Sequence, residues 1–380
     1  MDPHLPPGDR DSPEHTTEDE QYLTRQIVTY IGNKRALLDF IGAGIRKVRA
    51  RLNKKKLASF DVFSGSGIVA RFLKQFSHLV IVNDLETYSA VINRCYLSNY
   101  DDLDIKRLQT YHREILMGLG ESRLEGGIIS ELYAPKDENC IRADDRVFYT
   151  VRNARYIDTA RRLIGELPEN DQVFFLAPLL AEASLHANTS GVFKGFYKNR
   201  ETGIGQYGGK NRDALLRITG HMELPFPVFS RFHTGTKIYQ GDSNAVVKDA
   251  PEVDFAYLDP PYNQHPYGSN YFMLNLIADY QYPANISPVS GIPPDWNRSG
   301  YNAEKQALPA LRELVSAIKA KYILLSFNSE GFISLAEMKK MLHEVGKVEV
   351  LETTYNTFKG SRNLNSRNIH VKEYLYLVEK

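Results

Sequence analysis

The sequence predicts an α/β fold, a mainly parallel sheet with helices packed on it, interrupted by a mostly helical insertion. Three observations predict it. Short apolar runs alternate with stretches of helical spacing toward both ends of the chain. Two of those runs end in turn chemistry, Ser64-Gly65-Ser66-Gly67 and Asp259-Pro260-Pro261-Tyr262, where ligands of open α/β sheets bind. Between the two, residues 101–230 lose the alternation and read as helices joined by polar loops.

Taken in order, residues 1–20 hold seven acids against one base, Arg10, together with Pro3, Pro6, Pro7 and Pro13 and little that is apolar. Such a tail cannot bury a core and is expected to be disordered and outside the fold. Residues 57–62 form a strand, the glycine run a tight turn, and 68–76 a helix. A second strand, 79–82, stops at Asn83-Asp84 before a helix at 88–96. Helices follow at 105–116, 153–165 and 172–186, with aromatic and glycine-rich loops near 191–210. The alternation then resumes: strands at 237–239, 253–258 and 322–327, helices at 308–319 and 335–345, and a closing strand pair at 348–355 and 370–378. Residues 21–100 and 231–380 are thus two halves of one sheet domain, and 101–230 is the insertion.

At 380 residues, 42% hydrophobic and 24% charged, the chain can bury a full core. No apolar run approaches the roughly 18 to 20 residues of a membrane span, and no secretory signal opens the chain, so a cytoplasmic location and no membrane partner are expected. Two cysteines, Cys95 and Cys140, are too few for a disulfide framework or a cysteine-built zinc site; both are expected to be reduced packing residues, and no metal is expected. The formal charge of +1 hides a tail of −6, which leaves +7 on the body, a balance that suits a polyanionic partner.

The sharpest chemical feature is Asp259-Pro260-Pro261-Tyr262 directly after an apolar strand. The exocyclic amine of a nucleobase gives its lone pair to the ring and is a poor nucleophile. An acceptor carboxylate at Asp259 and the carbonyl of Pro260, held still by a proline-stiffened loop, would favour a more tetrahedral nitrogen, and Tyr262 would offer a ring for stacking. A base in a duplex reaches such a pocket only if it is flipped out. The second feature is Asp61-Val62-Phe63-Ser64-Gly65-Ser66-Gly67, followed about 20 residues later by Asp84, an acid placed to accept ribose hydroxyls. The longer dinucleotide fingerprint is missing, so a single nucleoside such as S-adenosylmethionine fits better than NAD.

The ordered set Tyr30-Ile31-Gly32-Asn33-Lys34, Asp61 to Gly67, Asn83-Asp84, Gly241-Asp242-Ser243 and Asp259 to Tyr262 resembles the Dam-like adenine-specific DNA methyltransferases. The resemblance implies a Rossmann-like S-adenosylmethionine-dependent methyltransferase sheet, S-adenosylmethionine as cofactor and double-stranded DNA as partner. It also implies site residues. Tyr30 and Lys34 would enclose the methionine end of the cofactor, with Asp61, Phe63, Gly65 and Gly67 in the glycine-rich turn. Asp84 would take the ribose and Asp242 the cofactor adenine, while Asp259, Pro260, Pro261 and Tyr262 form the catalytic loop. The run from Asn363 to Glu373 resembles the ends of restriction-system adenine methylases, which implies pairing with a separate restriction endonuclease. The long stretch between Asp84 and Asp242 departs from the family pattern and resembles no recognition domain.

DNA contact is expected from two loops that interleave cations with rings or amides. One carries Lys194, Lys198, Arg200, Lys210 and Arg212 with Phe196, Tyr197 and Tyr207; the other carries Lys359, Arg362 and Arg367 with Asn363 and Asn365. A basic run from Arg46 to Lys56 reads first as a solvated helix face. His265 needs no role in methyl transfer, and a nuclease-like Pro294-Asp295 with Glu337-Met338-Lys339 is set aside because its parts lie far apart in sequence. Three other readings use similar residues: methylation of the cytosine amine, methylation of adenine in RNA, and an inactive nucleic-acid-binding module. Asp259 argues against the cytosine enzymes, which more often carry Ser-Pro-Pro-Tyr.

Overall fold

A computed structural model describes residues 18–209, 212–356 and 370–380. Its strands are β1 (Leu57–Asp61), β2 (Ser77–Asp84), β3 (Gly235–Gln240), β4 (Val253–Leu258), β5 (Ala320–Asn328), β6 (Lys347–Asn356) and β7 (His370–Glu379). They form one sheet in the order β3-β2-β1-β4-β5-β7-β6. The first five run parallel, and β7 lies antiparallel between β5 and β6. From β1 the chain moves outward to β2 and then β3, and β4 returns to pair on the other side of β1. The strand order reverses at that point, so the loops after β1 and β4 part and leave a crevice at the carboxyl ends of the strands.

Both faces of the sheet are covered, which is why β4 reads as an unbroken apolar run. Phe255 and Tyr257 pack with Leu324 and Leu377 on the face covered by the helices Leu38–Leu52 and Ile68–Leu73. Ala256 and Leu258, one residue out of phase, face the helices Ser243–Asp249, Glu304–Ala317 and Leu335–His343. The helix Ile68–Leu73 ends three residues short of the expected 76, because Lys74 and Phe76 donate to Arg71 and Leu73, tightening the chain before β2.

Within 101–230 the helices are Ile105–Gly118, Ile128–Tyr133, Val151–Gly165, Glu169–Leu185 and Leu215–Thr219. Glu169–Leu185 buries Phe174, Phe175, Leu176, Leu179 and Leu180, apolar on several sides, and so runs through the middle of this layer. The same core takes in Tyr88, Ile92 and Cys95 from the helix Thr87–Tyr96 and Phe272, Met273 and Ile277 from Phe272–Asp279. Elements on both sides of the insertion therefore share its core, which fuses the helical layer to the sheet.

Two expectations need correction. The acidic tail was expected to lie wholly outside the fold; residues 1–17 are outside the described residues, but Glu18 is docked. Its carboxylate accepts from Ser230 Oγ at 2.9 Å and from the amide of Arg231, capping that turn, and Tyr22 four residues on is buried. Cys95 is a packing residue, whereas Cys140 is exposed. In the basic run Lys47 and Arg51 pair with Glu349, Lys54 Nζ lies 2.7 Å from Asp254, and Lys56 donates to the carbonyl of Gln75. Glu337 caps its own helix with Ser334. Among the described residues no helix is long and apolar enough to cross a membrane.

Candidate active site

A cleft of about 690 Å³, measured to its open mouth, lies at the carboxyl ends of β1, β2 and β4. The turn after β1 forms its floor. Gly65 and Gly67 adopt φ of +49° and +72°, a region that side chains with a Cβ rarely enter. A Cβ on Gly65 would meet the ring of Tyr30 at 2.8 Å, so a glycine lets that ring close over the turn. Tyr30 in turn stacks on Tyr267 and Tyr271, with centroids 5.1 and 4.9 Å away. Tyr271 Oη accepts from the amide of Ile31 at 2.7 Å, which fixes the segment carrying Tyr30 against the helices after the catalytic loop.

At the end of β2, Asp84 accepts from the amides of Gly65 at 2.7 Å and Glu86 at 3.0 Å. Its carboxylate ties the glycine turn to the neighbouring strand end while still lining the cleft. Burial raises Asp84, and the backbone donors oppose that rise. Glu86, also on the wall, accepts from Asn275 at 2.5 Å and Asn297 at 3.1 Å, and burial pushes its carboxyl up to about 7. Across the cleft, Asp242 caps the helix Ser243–Asp249 through the amide of Ala245, and Phe63 turns its ring edge-on to Tyr301 at 5.2 Å.

Asp259 closes the end of the cleft, its side chain 18% exposed. Beneath it sits Lys34, 3% exposed, with Nζ 3.2 Å from Asp259 Oδ1 and 2.8 Å from Oε1 of the fully buried Glu373. Burial raises Asp259 to about 6; Lys34 opposes the rise and Glu373 adds to it. The same two carboxylates hold Lys34 well above the usual range against its burial. Pro260 is buried and Pro261 lines the cleft. Tyr262 packs edge-on against Phe327 at 6.0 Å, and its carbonyl accepts from the amide of Phe332.

The cleft thus gathers Tyr30, Phe63, Gly65, Asp84, Asp242, Asp259 and Pro261 from five separated stretches of sequence. Lys34, Asp61 and Gly67 are not on its wall. Asp61 lies 1% exposed under the glycine turn, pushed well up by burial and by the carboxylates of Asp259 and Asp84, and among the described residues neither of its oxygens has a hydrogen-bond partner in good geometry. Gly67 shapes the turn: a Cβ there would meet Asn93 at 2.8 Å.

Lys194, Lys198, Arg200 and Arg212 are exposed; Lys210, Lys359, Arg362 and Arg367 lie outside the described residues. The loop bearing Lys194 is fixed beside the catalytic segment, since the amide of Phe193 donates to Asn270 at 2.7 Å. Two of its three rings are engaged within the protein: Phe196 is buried against Phe148, with Lys198 over its face at 4.9 Å, and Tyr207 Oη donates to Tyr149. His265 is exposed, its imidazole lowered by burial and by Lys194.

Sequence reasoning missed Glu86, Tyr267, Tyr271, Glu373 and the wall formed by Asn297, Ser299 and Asn302. Tyr267 and Tyr271, four apart just past the catalytic loop, were visible as one helical face. Nothing local marks Asn297 to Asn302, which reach the cleft through a long connection; Asn302 donates to the carbonyl of Asn263 at 2.8 Å.

A sheet of this order, with an acid-walled cleft at its strand ends and an Asp-Pro-Pro-Tyr loop closing one end of it, is the arrangement expected of a methyltransferase that acts on amines. Residues 30–341 match the D12 class N6 adenine-specific DNA methyltransferases, and the chain belongs to that family. It is similar to the type II methyltransferase M.NlaIII of Neisseria lactamica, 31% identical over 364 residues that cover 93% of this chain and 99% of that one. It also resembles M.CviAII of Paramecium bursaria Chlorella virus 1, at 29% identity over 92% of this chain and 98% of the relative. With M.FokI of Planomicrobium okeanokoites the identity is 25%, over 92% of this chain and 52% of the relative. The protein is an adenine-specific DNA methyltransferase.

Proposed function

We propose that the cleft binds S-adenosylmethionine and that Asp259 with Pro260 receives the amine of an adenine flipped out of duplex DNA. One observation carries the reading: among the described residues the cleft is lined by Asp84, Glu86, Asp242 and Asp259 and by no lysine, arginine or histidine. Such a wall attracts a cationic nucleoside and repels the pyrophosphate of a dinucleotide. Carboxylates that can accept from hydroxyl and amine groups stand beside the rings of Phe63 and Tyr30, a lining that suits a single nucleoside. S-adenosylmethionine supplies a methyl group activated by a positive sulfur. Asp84 and Glu86 hold hydroxyls, Asp242 and Phe63 hold an aminopurine by hydrogen bond and ring contact, and Tyr30 covers the remainder.

At the target, Asp259 and the Pro260 carbonyl accept the two N–H groups, favouring a tetrahedral nitrogen and stabilising its growing positive charge. The proton lost afterwards passes to solvent, so His265 is not required. Base flipping follows from the depth of Asp259, which a stacked base cannot reach. The type II relatives support pairing with a separate restriction endonuclease.

Incubation with labelled S-adenosylmethionine and either duplex DNA or RNA, followed by nucleoside analysis, tests the reading. N6-methyladenine in DNA is expected; label confined to cytosine or to RNA would overturn it. A second expectation isolates the cofactor wall. Asp84→Ala should weaken S-adenosylmethionine binding by about 1.5 to 3 kcal/mol, the range for hydrogen bonds to a charged group, with DNA binding little changed. Calorimetry showing unaltered affinity would leave Asp84 with only its bonds to the amides of Gly65 and Glu86.

We assign DNA recognition to residues 101–230, and within them to the exposed Lys194, Lys198, Arg200 and Arg212 beside the catalytic loop. The Lys198→Ala, Arg200→Ala double variant should flatten the salt dependence of DNA binding by up to about 0.9 log units per lost phosphate contact. A residue reading a base edge would instead cost about 1 to 3 kcal/mol at the cognate site alone. Wild-type binding across a range of salt would shift the assignment to Lys359, Arg362 and Arg367.

A further inference from the structure

Lys34 poses a physical problem for the catalytic loop. An ammonium 3.2 Å from Asp259 cancels the negative charge that a developing cationic nitrogen needs. Pairing Lys34 with Asp259 alone would give the site a net charge near zero. A third charge is present. Glu373, at the middle of β7 and fully buried, lies closer to Lys34 than Asp259 does, 2.8 against 3.2 Å. Glu373 Oε1 also accepts from Ser326 Oγ on β5 at 2.5 Å, so its carboxylate is anchored to the sheet. Among the described residues its other oxygen has no hydrogen-bond partner, and Asp259 Oδ1 receives none in good geometry despite its ion pair. A lysine held at the better distance by an anchored carboxylate leaves Asp259 free to turn toward a substrate.

We propose that Glu373 is a positioning residue for methyl transfer: it neutralises Lys34, so that Lys34 orients Asp259 without quenching it, and the three groups together present one net negative charge to the target amine. The inference rests on Asp259 being the acceptor of that amine. It adds a residue from the far end of the chain, on a strand that touches neither cofactor nor DNA in the reading above. The groups that face Asp259 are Lys34, Glu373, the buried Asp61, and the phenols of Tyr257, Tyr262 and Tyr267. Of these Lys34 lowers Asp259 and Glu373 raises it.

The test is a cycle of Glu373→Gln, Lys34→Gln and the double variant, each checked for folding by thermal melting and for S-adenosylmethionine affinity. Single-turnover methylation of duplex DNA is then followed against pH. Asp259 works as a carboxylate, so the rate falls as pH drops through its pKa. Glu373→Gln removes the charge that raises Asp259; the acid limb should move down by about one pH unit while the plateau rate falls about 10- to 100-fold. Lys34→Gln should move the limb up, and the double variant should lie between the two singles. A β7 carboxylate that merely supports the sheet would change melting and leave the limb in place. If Glu373→Gln does not fold, the comparison of Lys34→Gln with the double variant still reads the charge of Glu373, and equal limbs there overturn the proposal. A plateau within threefold of wild type in Glu373→Gln also overturns it. Asp259→Ala, run alongside, separates the two readings: should it turn over normally, the role of Asp259 itself fails, whereas an inactive Asp259→Ala beside an unshifted cycle rejects Glu373 only.

Discussion

Asp259→Ala is expected to abolish methyl transfer, by about 10² to 10³ or more in rate, with S-adenosylmethionine affinity kept within a few-fold. The carboxylate closes one end of the cleft, apart from the floor formed by Gly65 and Asp84. Its removal takes away the charged acceptor and leaves the cofactor wall intact. Stability should not suffer. A carboxyl raised from its ordinary value to about 6 is harder to ionise in the folded protein than in the unfolded chain, so above the unfolded value it opposes folding, increasingly until pH passes about 6. Replacing it with alanine removes that penalty and leaves Lys34 paired with Glu373. Unchanged or raised melting together with lost turnover is therefore the expected pattern, as for functional groups held against their own stability. Asp259→Asn keeps an acceptor without the charge and should retain more activity than alanine. Near-normal single-turnover rates in both variants would remove Asp259 from the chemistry.

Much of the fold was legible because its signals are local. β4 was read to its end residues, since an apolar run closed by Asp259-Pro260 leaves little freedom at either boundary. The antiparallel pair β6 and β7 was legible from two adjacent alternating segments near the C-terminus. The site was legible where its residues end or follow strands: Asp84 ends β2, and Gly65, Asp242 and Asp259 follow strands whose carboxyl ends meet it.

What stayed hidden depends on contacts between distant segments. Lys34 was assigned to the cofactor, yet it lies under Asp259 because β7, more than 300 residues away, brings Glu373 beneath the loop. No spacing rule links residues 34 and 373. The same holds for the layer at 101–230. Its helices were visible one by one, but that Phe272 and Ile277 complete their core depends on how the chain returns after the catalytic loop. Phe196 and Tyr207 looked like stacking rings among cations; aromatic residues in a polar loop give no local sign of which way they turn, and here they pack inward.

Gly268→Ala is expected to weaken both the fold and the cleft, although the residue lies in the helix Tyr267–Asn270, where alanine is normally the better helix former by about 1 kcal/mol. The backbone at Gly268 is not in the left-handed region, so no strain of φ opposes the change. Space does. A Cβ there would lie 2.5 Å from the carbonyl oxygen of Asn297 and 2.9 Å from its amide nitrogen. Both are main-chain atoms that cannot rotate aside. Asn297 is also tied by its side chain to Glu86 at 3.1 Å and to the carbonyl of Leu85, so the 297–302 segment must move as a unit or the helix must. Overpacking of this kind typically costs about 1 to 3 kcal/mol, which outweighs the gain in helix propensity. Melting should fall by several degrees, and S-adenosylmethionine should bind at least about tenfold more weakly, because Asn297, Ser299 and Glu86 form one wall of its cleft. Scanning calorimetry and titration of the same sample check both outcomes. A Gly268→Ala protein that melts at or above the wild-type temperature with unchanged affinity would mean that the helix and the 297–302 segment are not in close contact in solution.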